Sequence, residues 1–324
     1  MAKSTQPLVL IVTPYLADAN NGNWRTAQRW ARLLQPRYRV IVQANADGDP
    51  ARNADCMIAL HARRSHPAVL DWRAQDATRP LIVALTGTDL YRDLPEGNAD
   101  AEDSLRRAAA LIVLQDDALN HLPAIHRGKA SVVLQSARAL MPAIKPVTRL
   151  NCVMVGHLRG EKDPLTALNA WRKLPAAEPI HLRHIGGMLD SKLGAAARAF
   201  MAVEPRYRWQ GAAPHGATRQ EIKRAHVLLV PSLMEGGANV VVEALTSGTA
   251  VLGSRMSGNI GMLGASYPGL FPVGDSNALA ALLLRCRQEP AFLREINGWC
   301  RRRAPLFSPS RERRALRGVV ASLL

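Results

Sequence analysis

The sequence is poor in cysteine, in aromatic residues and in long apolar runs. Its four cysteines are widely separated among 324 residues and form no Cys-x-x-Cys pair, which excludes a disulfide-stapled domain and a zinc ribbon. A membrane-spanning helix needs about 20 consecutive apolar residues, and no run approaches that length. The short apolar run at 8–12 has no small-residue cleavage site after it. We therefore expect a cytoplasmic protein without stable membrane insertion.

Positive charge is abundant, and most of it is arginine. The formal net charge is +16, and only seven of the 42 basic residues are lysine. A basic chain suits nucleic acid and small phosphorylated substrates equally well, and genome composition can produce the same bias. Aromatic residues make up only 5% of the chain and no recognisable nucleic-acid motif is present. We therefore expect small-molecule partners and no nucleic acid.

Short runs of Val, Ile and Leu alternate with amphipathic stretches in two successive series. The first series of predicted strands lies at 8–13, 39–44, 56–60, 80–86, 110–115 and 130–135. The second lies at 151–156, 180–185, 206–211, 226–231, 249–253 and 269–273. Such runs suit parallel strands buried on both faces. Strands that alternate with helices indicate the α/β class.

The restart of the pattern predicts two Rossmann-like, doubly wound domains at 1–142 and 150–307, which face a central cleft. The segment Ala139–Leu150 contains two prolines and has weak periodicity, so it is the predicted linker. Ligands of such domains bind at the carboxyl ends of the strands. The loops that follow the strands are therefore where functional residues are expected.

The most informative motif follows the predicted strand at 226–231. Glu235 and Glu243 are separated by seven residues, with Gly236 and Gly237 directly after the first of them. Glycine lets the backbone approach a ligand closely, and a helix start near Asn239 offers N–H groups to a pyrophosphate. A carboxylate in the first turns can accept hydrogen bonds from a ribose diol. The alternative is a helix start with favourable N-terminal acids.

This segment, 226–254, resembles the donor site of the retaining GT-B glycosyltransferases that carry a Glu-x7-Glu motif. The resemblance implies that Glu243 holds the nucleotide ribose and that Glu235 contacts the donor sugar. It further implies that the donor diphosphate is held by main-chain amides of the residues between them: Gly236, Gly237, Ala238, Asn239 and Val240. In the resembling fold the last helix, here 308–324, packs back on the first domain.

A second motif, Val155–Pro164, follows the first strand of the second domain. In the resembling family an arginine and a lysine at this place contact the donor phosphates. Lys162 matches the lysine, whereas His157 stands at the usual arginine position and Arg159 lies two residues on. Both His157 and Arg159 stay open as the second cation, and a solvated loop charge is the alternative for Arg159. No metal-binding Asp-x-Asp is present in this region, so we expect a metal-independent reaction.

A third motif follows the first strand, where Asn20 and Asn21 lead into Gly22 and Asn23 at the start of an amphipathic helix. In the resembling family this loop reaches the donor β-phosphate, which makes Gly22 and Asn23 donor-site candidates. A long turn with an asparagine cap is the alternative. No Gly-x-Gly-x-x-Gly follows the strand, which disfavours a dinucleotide-dependent dehydrogenase.

A fourth group of polar residues follows two neighbouring strands of the first domain. The group consists of His61, Arg63, Arg64 and His66 after one strand, and Thr86, Thr88 and Asp89 after the next. Arginine forks match phosphate oxygens, so the basic residues predict an anion pocket for the acceptor. Thr86, Thr88 and Asp89 are also typical turn formers, which is the alternative for each of them.

Longer stretches resemble the selenosugar synthases of selenoneine biosynthesis across nearly the whole chain. They are 61–66, 84–95, 235–241 and 271–275. The resemblance implies transfer of a sugar from a UDP-sugar, expected to be UDP-N-acetylglucosamine, to selenophosphate without a cofactor. Lys162, Glu235, Arg159 and His61 are then the expected catalytic residues. The alternative is a conventional glycosyltransferase that acts on a small hydroxyl or lipid-linked acceptor.

Overall fold

A computed structural model of the protein describes residues 6–14 and 22–324, and the chain divides into two compact units. The first unit is Met1–Ser136 with Pro309–Leu324, and the second is Ala137–Ser308. Within the described residues, twelve strands form two six-stranded sheets. Neighbouring strands of both sheets run parallel. This confirms the predicted α/β class.

The first unit has the sheet order β2-β1-β3-β4-β5-β6. Its strands are β1 (Leu8–Val12), β2 (Arg39–Gln43), β3 (Cys56–Leu60), β4 (Leu81–Ala84), β5 (Ala110–Val113) and β6 (Ala130–Val132). Its helices are α1 (Gly22–Leu34), α2 (Gly48–Asn53), α3 (His66–Gln75), α4 (Ala99–Arg107), α5 (Ala118–His121), α6 (Ala124–Arg127) and, after the second unit, α14 (Pro309–Ala321). The order reverses between β1 and β3, which makes a ligand-binding switch point there.

The second unit has the sheet order β12-β11-β10-β7-β8-β9. Its strands are β7 (Leu150–Val155), β8 (Ile180–Ile185), β9 (Tyr207–Trp209), β10 (Val227–Val230), β11 (Ala250–Ser254) and β12 (Leu270–Phe271). Its helices are α7 (Pro164–Trp171), α8 (Ser191–Val203), α9 (His215–Arg224), α10 (Asn239–Leu245), α11 (Ser257–Leu263), α12 (Ser276–Gln288) and α13 (Pro290–Arg303). The order is that of a dinucleotide-binding Rossmann sheet, with its switch point between β7 and β10.

The central strands are covered on both faces, which explains their continuous apolar runs. All five residues of β1 are buried, and alternate residues enter different core layers. Leu8, Leu10 and Val12 pack in one layer, whereas Val9 and Ile11 pack in the other. The pleat of a strand sends successive side chains to opposite faces, so one apolar run supplies both layers.

The last helix completes the second of these layers. Leu316 and Val320 of α14 pack in the same core as Trp30 of α1. Glu312 of α14 is buried, and it accepts hydrogen bonds from Trp30 Nε1 at 2.8 Å and from Arg29 Nε at 3.0 Å. Ser136 Oγ donates to the other carboxylate oxygen of Glu312. A buried carboxylate needs such partners, so Glu312 fixes where α14 sits on the first unit.

Two features of the chain differ from the sequence prediction. Residues 137–142, predicted to end the first domain, bond to the second unit: the N–H of Ala137 donates to Phe307 O at 3.2 Å, and that of Leu140 to Thr246 O at 2.9 Å. Several helices were not predicted, the longest being α3 and α13. The predicted strands nevertheless match the twelve observed ones, with ends that move by up to three residues.

We predict that Glu312→Gln lowers the free energy of unfolding of the first unit by about 3 kcal/mol, because it removes the buried carboxylate that pairs with Arg29. Denaturant unfolding followed by tryptophan fluorescence measures the change. Glu96→Gln is the control, since Glu96 is exposed in the same unit and surface changes cost about 0.5 kcal/mol or less. Equal stability of the two variants would contradict the role of Glu312.

Candidate active site

The loops that follow β7 and β10 lie side by side in the second unit. The two strands are paired in the sheet, so their carboxyl ends reach the switch point together. The N–H of Leu233 in the second loop donates to the carbonyl of Glu161 in the first at 2.9 Å. The two loops that carry the predicted donor-site residues are therefore joined by a main-chain hydrogen bond.

Lys162 and Glu235 meet across these loops. The ammonium group of Lys162 donates to Glu235 Oε1, and Ser232 Oγ donates to the same oxygen at 2.7 Å. The aliphatic stem of Lys162 lies against Gly156, where an added Cβ would be 3.3 Å from it. Gly258 contacts the backbone of Glu235 so closely that a Cβ there would overlap its carbonyl oxygen. Hydrogen bonds and close packing thus fix the positions of the Lys162 ammonium group and the Glu235 carboxylate.

Gly156, beneath Lys162, is fixed by a buried hydrogen-bond relay. Its carbonyl can only accept, so His184 Nε2, 3.1 Å away, carries the ring proton. His184 Nδ1 then accepts from Tyr207 Oη at 3.0 Å. Burial lowers the pKa of His184 to about 4, so the ring stays neutral near pH 7. Gly186 packs against the Gly156 carbonyl without room for a side chain.

His157 and Arg159, the two candidates for the second cation, differ in their environment. His157 Nδ1 accepts from the N–H of Gly187 at 2.9 Å, which places its proton on Nε2. Burial lowers the pKa of His157, as do the charges of Arg159 and Lys162. Arg159 is exposed, with its Nε 4.0 Å from Glu161 Oε2. The structure therefore offers a neutral N–H donor at 157 and an exposed positive charge at 159.

Glu243 lies on α10 and is 8% exposed. Its Oε1 is 2.6 Å from Nε2 of His215, the first residue of α9. Arg219, one turn further along α9, is largely buried and bonds to Arg138 O at 2.9 Å and Ser247 Oγ at 3.2 Å. Burial lowers the pKa of Arg219, and the charge of Glu243 opposes that shift. Glu243, the residue predicted to bind the donor ribose, is therefore held in place by α9. The sequence did not predict that α9 contributes to the site.

The residues between the two glutamates form the approach to α10. Gly236 and Ala238 are buried, whereas Gly237, Asn239 and Val240 are partly exposed. Ala238 precedes the helix with an extended backbone and makes no side-chain cap. Their predicted contact with a diphosphate stays a prediction.

Gly22 and Asn23 are the first two residues of α1. Thr26 Oγ1 donates to the Gly22 carbonyl at 2.9 Å, and Thr26 in turn accepts from Gln135 Nε2 at 2.8 Å. The preceding Asn20 and Asn21 lie outside the described residues. The donor-site role of Gly22 and Asn23 stays a prediction.

His61 and Asp89, predicted to meet substrate, are buried side chains of the first unit. Their relative exposures are 1% and 0%. Asp89 accepts from the N–H groups of Thr86 and Gly87 at 2.9 and 2.8 Å, and from that of Ala62 at 2.9 Å. A carboxylate that accepts several backbone N–H bonds is the expected partner of a turn. These hydrogen bonds are the ones expected of a turn former at Asp89, and the predicted substrate contacts of His61 and Asp89 stay predictions.

The other residues predicted to bind the acceptor follow β3 and β4, and acidic side chains neutralise part of their charge. Arg63 Nε lies 2.9 Å from Asp93 Oδ2, and His66 Nε2 lies 2.9 Å from Asp103 Oδ2. Arg64 is exposed, whereas Thr88 is half-buried and accepts from His61. The structure brings these residues together at the carboxyl ends of β3 and β4. Their contact with an acceptor stays a prediction.

Across residues 6–14 and 22–324, no group of three or more His, Cys, Asp or Glu side chains is arranged to hold a metal ion. In the same part of the chain, no helix is both long and apolar enough to cross a membrane.

Comparison with known proteins gives one family match and several similar folds. Residues 149–289 match the family described as glycosyl transferases group 1. Sucrose-phosphate synthase from Thermosynechococcus elongatus has a TM-score of 0.81 and 17% identity, covering 98% of this chain and 99% of that chain. Anabaena HepE in complex with UDP-glucose has a TM-score of 0.75 and 14% identity, over 98% and 99% of the two chains. The pneumococcal O-GlcNAc transferase GtfA, in complex with UDP and GlcNAc, has a TM-score of 0.64 and 17% identity, over 83% and 57%.

No curated protein matches the chain in sequence. The fold is that of the GT-B glycosyltransferases, as the sequence predicted. The match to the glycosyl transferases group 1 family covers residues 149–289, a stretch that contains both donor-site loops.

The residues of this site that the sequence did not predict include Ser232, His184 and His215. Ser232 lies three residues before Glu235, so its proximity to the Glu-x7-Glu motif was a usable signal. His184 and His215 lie on other elements, and only the sheet order brings them to Gly156 and Glu243. No local pattern marks such partners.

We predict that the second unit loses stability as the pH falls from about 6.5 to about 4, partly through His184. In that range the unfolded histidine binds a proton and the buried one does not, so the native state loses free energy relative to the unfolded state. The difference corresponds to about 3 kcal/mol. His184→Gln removes this part of the pH dependence, measured by denaturant unfolding at each pH. His121→Gln, which changes a histidine of the first unit, is the control, and identical profiles for both variants would contradict the prediction.

Proposed function

We propose that the protein transfers N-acetylglucosamine from UDP-N-acetylglucosamine to selenophosphate, without a metal ion. The part of the proposal that concerns the donor rests on the contact between Lys162 and Glu235, which lie on the loops after β7 and β10. The similar structures determined with UDP, UDP-glucose or GlcNAc favour a UDP-sugar donor. The acceptor half rests on the basic residues after β3 and on the resemblance to selenosugar synthases.

In this proposal the second unit binds the donor. Lys162, together with His157 Nε2–H or Arg159, stabilises the charge that develops on the diphosphate as the glycosyl bond breaks. Main-chain amides from 236 to 240 contact the same group. Glu243 accepts hydrogen bonds from the ribose diol, and Glu235 accepts from a hydroxyl of the sugar. Lys162 and Glu235 hold each other in position before the donor arrives.

The first unit binds the acceptor. Selenophosphate is already ionised, and selenium is a strong, soft nucleophile, so no general base is needed to activate it. The selenium attacks the anomeric carbon, a C–Se bond forms, and the C–O bond to UDP breaks with its electron pair leaving on UDP. Water then takes the phosphoryl group from selenium. The products are a 1-selenosugar, UDP and phosphate.

A hydroxyl acceptor is the second candidate, and one observation favours it. Asp93 neutralises Arg63 and also lies 3.2 Å from Arg92 Nε, while Asp103 and Asp100 face His66. The pocket is therefore less positive than its sequence suggests. A conventional acceptor would use the same donor site.

Mass spectrometry of one reaction tests the proposal. Purified protein is mixed with UDP-N-acetylglucosamine and selenophosphate in the presence of a chelator, beside a control without selenophosphate. A sugar with the selenium isotope pattern, formed together with UDP, is the expected result. Binding of the UDP-sugar without any selenosugar would move the acceptor to the hydroxyl class. Absence of UDP-sugar binding would overturn the donor half as well.

We predict that Lys162→Met lowers the transfer rate by about 100-fold or more, because loss of one charge-stabilising donor typically costs that much. Methionine keeps the stem that packs on Gly156 and removes only the charge. The rate of UDP release, with the thermal melting curve as a check of folding, measures the effect. Lys192→Met is the matched control, since Lys192 is an exposed lysine of the same unit. Full activity of Lys162→Met would contradict the donor-site assignment.

A further inference from the structure

His61 ends β3 in an unusual conformation. Its φ is +75°, in the left-handed region that few residues other than glycine adopt, although asparagine, aspartate and histidine are enriched there. Its N–H donates to Ala84 O of the neighbouring strand at 2.8 Å, and its ring is enclosed. The left-handed turn aims the imidazole toward the loop that follows β4 rather than toward solvent.

The hydrogen bonds of the His61 ring determine where its proton lies. The backbone N–H of Arg64 can only donate, and it lies 3.3 Å from His61 Nδ1, so Nδ1 is the accepting nitrogen. The nearest Asp89 oxygen is 3.8 Å from Nδ1, too far for a hydrogen bond. Burial lowers the pKa of His61, so the ring is neutral with its single proton on Nε2. That proton is donated to Thr88 Oγ1 at 2.8 Å.

The Thr88 hydroxyl therefore accepts one hydrogen bond, and its own proton is directed elsewhere. Within the described residues, the Thr88 side chain has no hydrogen-bond partner besides His61. Thr88 is half-buried, so its side chain is partly open to solvent. The loop cannot readily rotate away, because Asp89 binds the N–H groups of Thr86 and Gly87 before Thr88 and that of Leu90 after it.

We propose that Thr88 donates a hydrogen bond to the acceptor anion and that His61 is the positioning residue that directs it. This inference rests on the proposed function and deepens its acceptor half. Arg63 and Arg64 attract a phosphate-like group but are long and adaptable. Thr88 adds one short, directed O–H···O⁻ bond, which is among the stronger hydrogen bonds in proteins. His61 thereby has a role in acceptor binding without touching the acceptor.

Steady-state kinetics with selenophosphate as the varied substrate tests this assignment. Thr88→Val removes the hydroxyl at constant shape, and we expect the KM for selenophosphate to rise about 10- to 100-fold, as for loss of a hydrogen bond to a charged group. The Kd for UDP, measured by calorimetry, should not change. Thr88→Ser keeps the hydroxyl and should stay within about threefold of the wild type. An unchanged KM in Thr88→Val, or equal losses in both variants, would overturn the inference.

The role of His61 is tested by a double-mutant cycle. Asparagine tolerates the left-handed conformation but is too short to reach Thr88. His61→Asn should raise the KM for selenophosphate alone, yet add little in the Thr88→Val background, because both changes act on one hydrogen bond. Additive losses would mean that His61 acts only on stability. Melting curves of each variant check that the first unit is folded.

A measurement without turnover separates this inference from the proposed reaction. Binding of inorganic phosphate is followed by ³¹P NMR with the wild type, Thr88→Val and Thr88→Ser. Weaker binding in Thr88→Val that serine restores supports the Thr88 assignment even if the wild type forms no selenosugar. Equal phosphate binding by all three proteins, or none by any, would overturn it.

Discussion

Both units depend on one constraint: neighbouring strands in each sheet run parallel, so their carboxyl ends share an edge. Polar residues far apart in sequence therefore meet at that edge wherever the strands before them are neighbours in the sheet. In the second unit this brings Lys162 to Glu235, 73 residues later. In the first unit it brings His61 to Thr88, 27 residues later. Parallel pairing of neighbouring strands thus places the residues of both candidate subsites, although the side chains differ between them.

Buried polar groups hold these edges in shape. His184 fixes the Gly156 carbonyl, Asp89 fixes the turn before Thr88, and Glu312 fixes the last helix on α1. Each of the three side chains makes hydrogen bonds to more than one group. A buried polar group needs such bonds to offset the cost of its desolvation. Two of these residues, His184 and Asp89, bond to the backbone of candidate site loops, so buried side chains help to position each loop.

The sequence was most informative where a single segment carries the whole signal. Buried parallel strands leave uninterrupted apolar runs, and β3 and β8 lie at the predicted residues. The two glutamates of the donor motif are equally local, because a strand, a turn and a helix follow one another there. By contrast, His61 and Asp89 follow different strands, and each is buried by the loop that carries the other. Helix α3 begins at a proline-containing turn with an irregular apolar pattern, so periodicity gave no signal for it.

The packing of α14 on α1 has a consequence for the order in which the chain folds during synthesis. The second unit is built from contiguous residues, 137–308, whereas the first needs residues 309–324 that are made after it. Until then, the layer that holds Trp30 and Leu34 lacks Leu316 and Val320. Domains usually fold from the N-terminus onward as they emerge. Here the unit that is made first is the last to be completed, and its open apolar face is the part that a chaperone would meet.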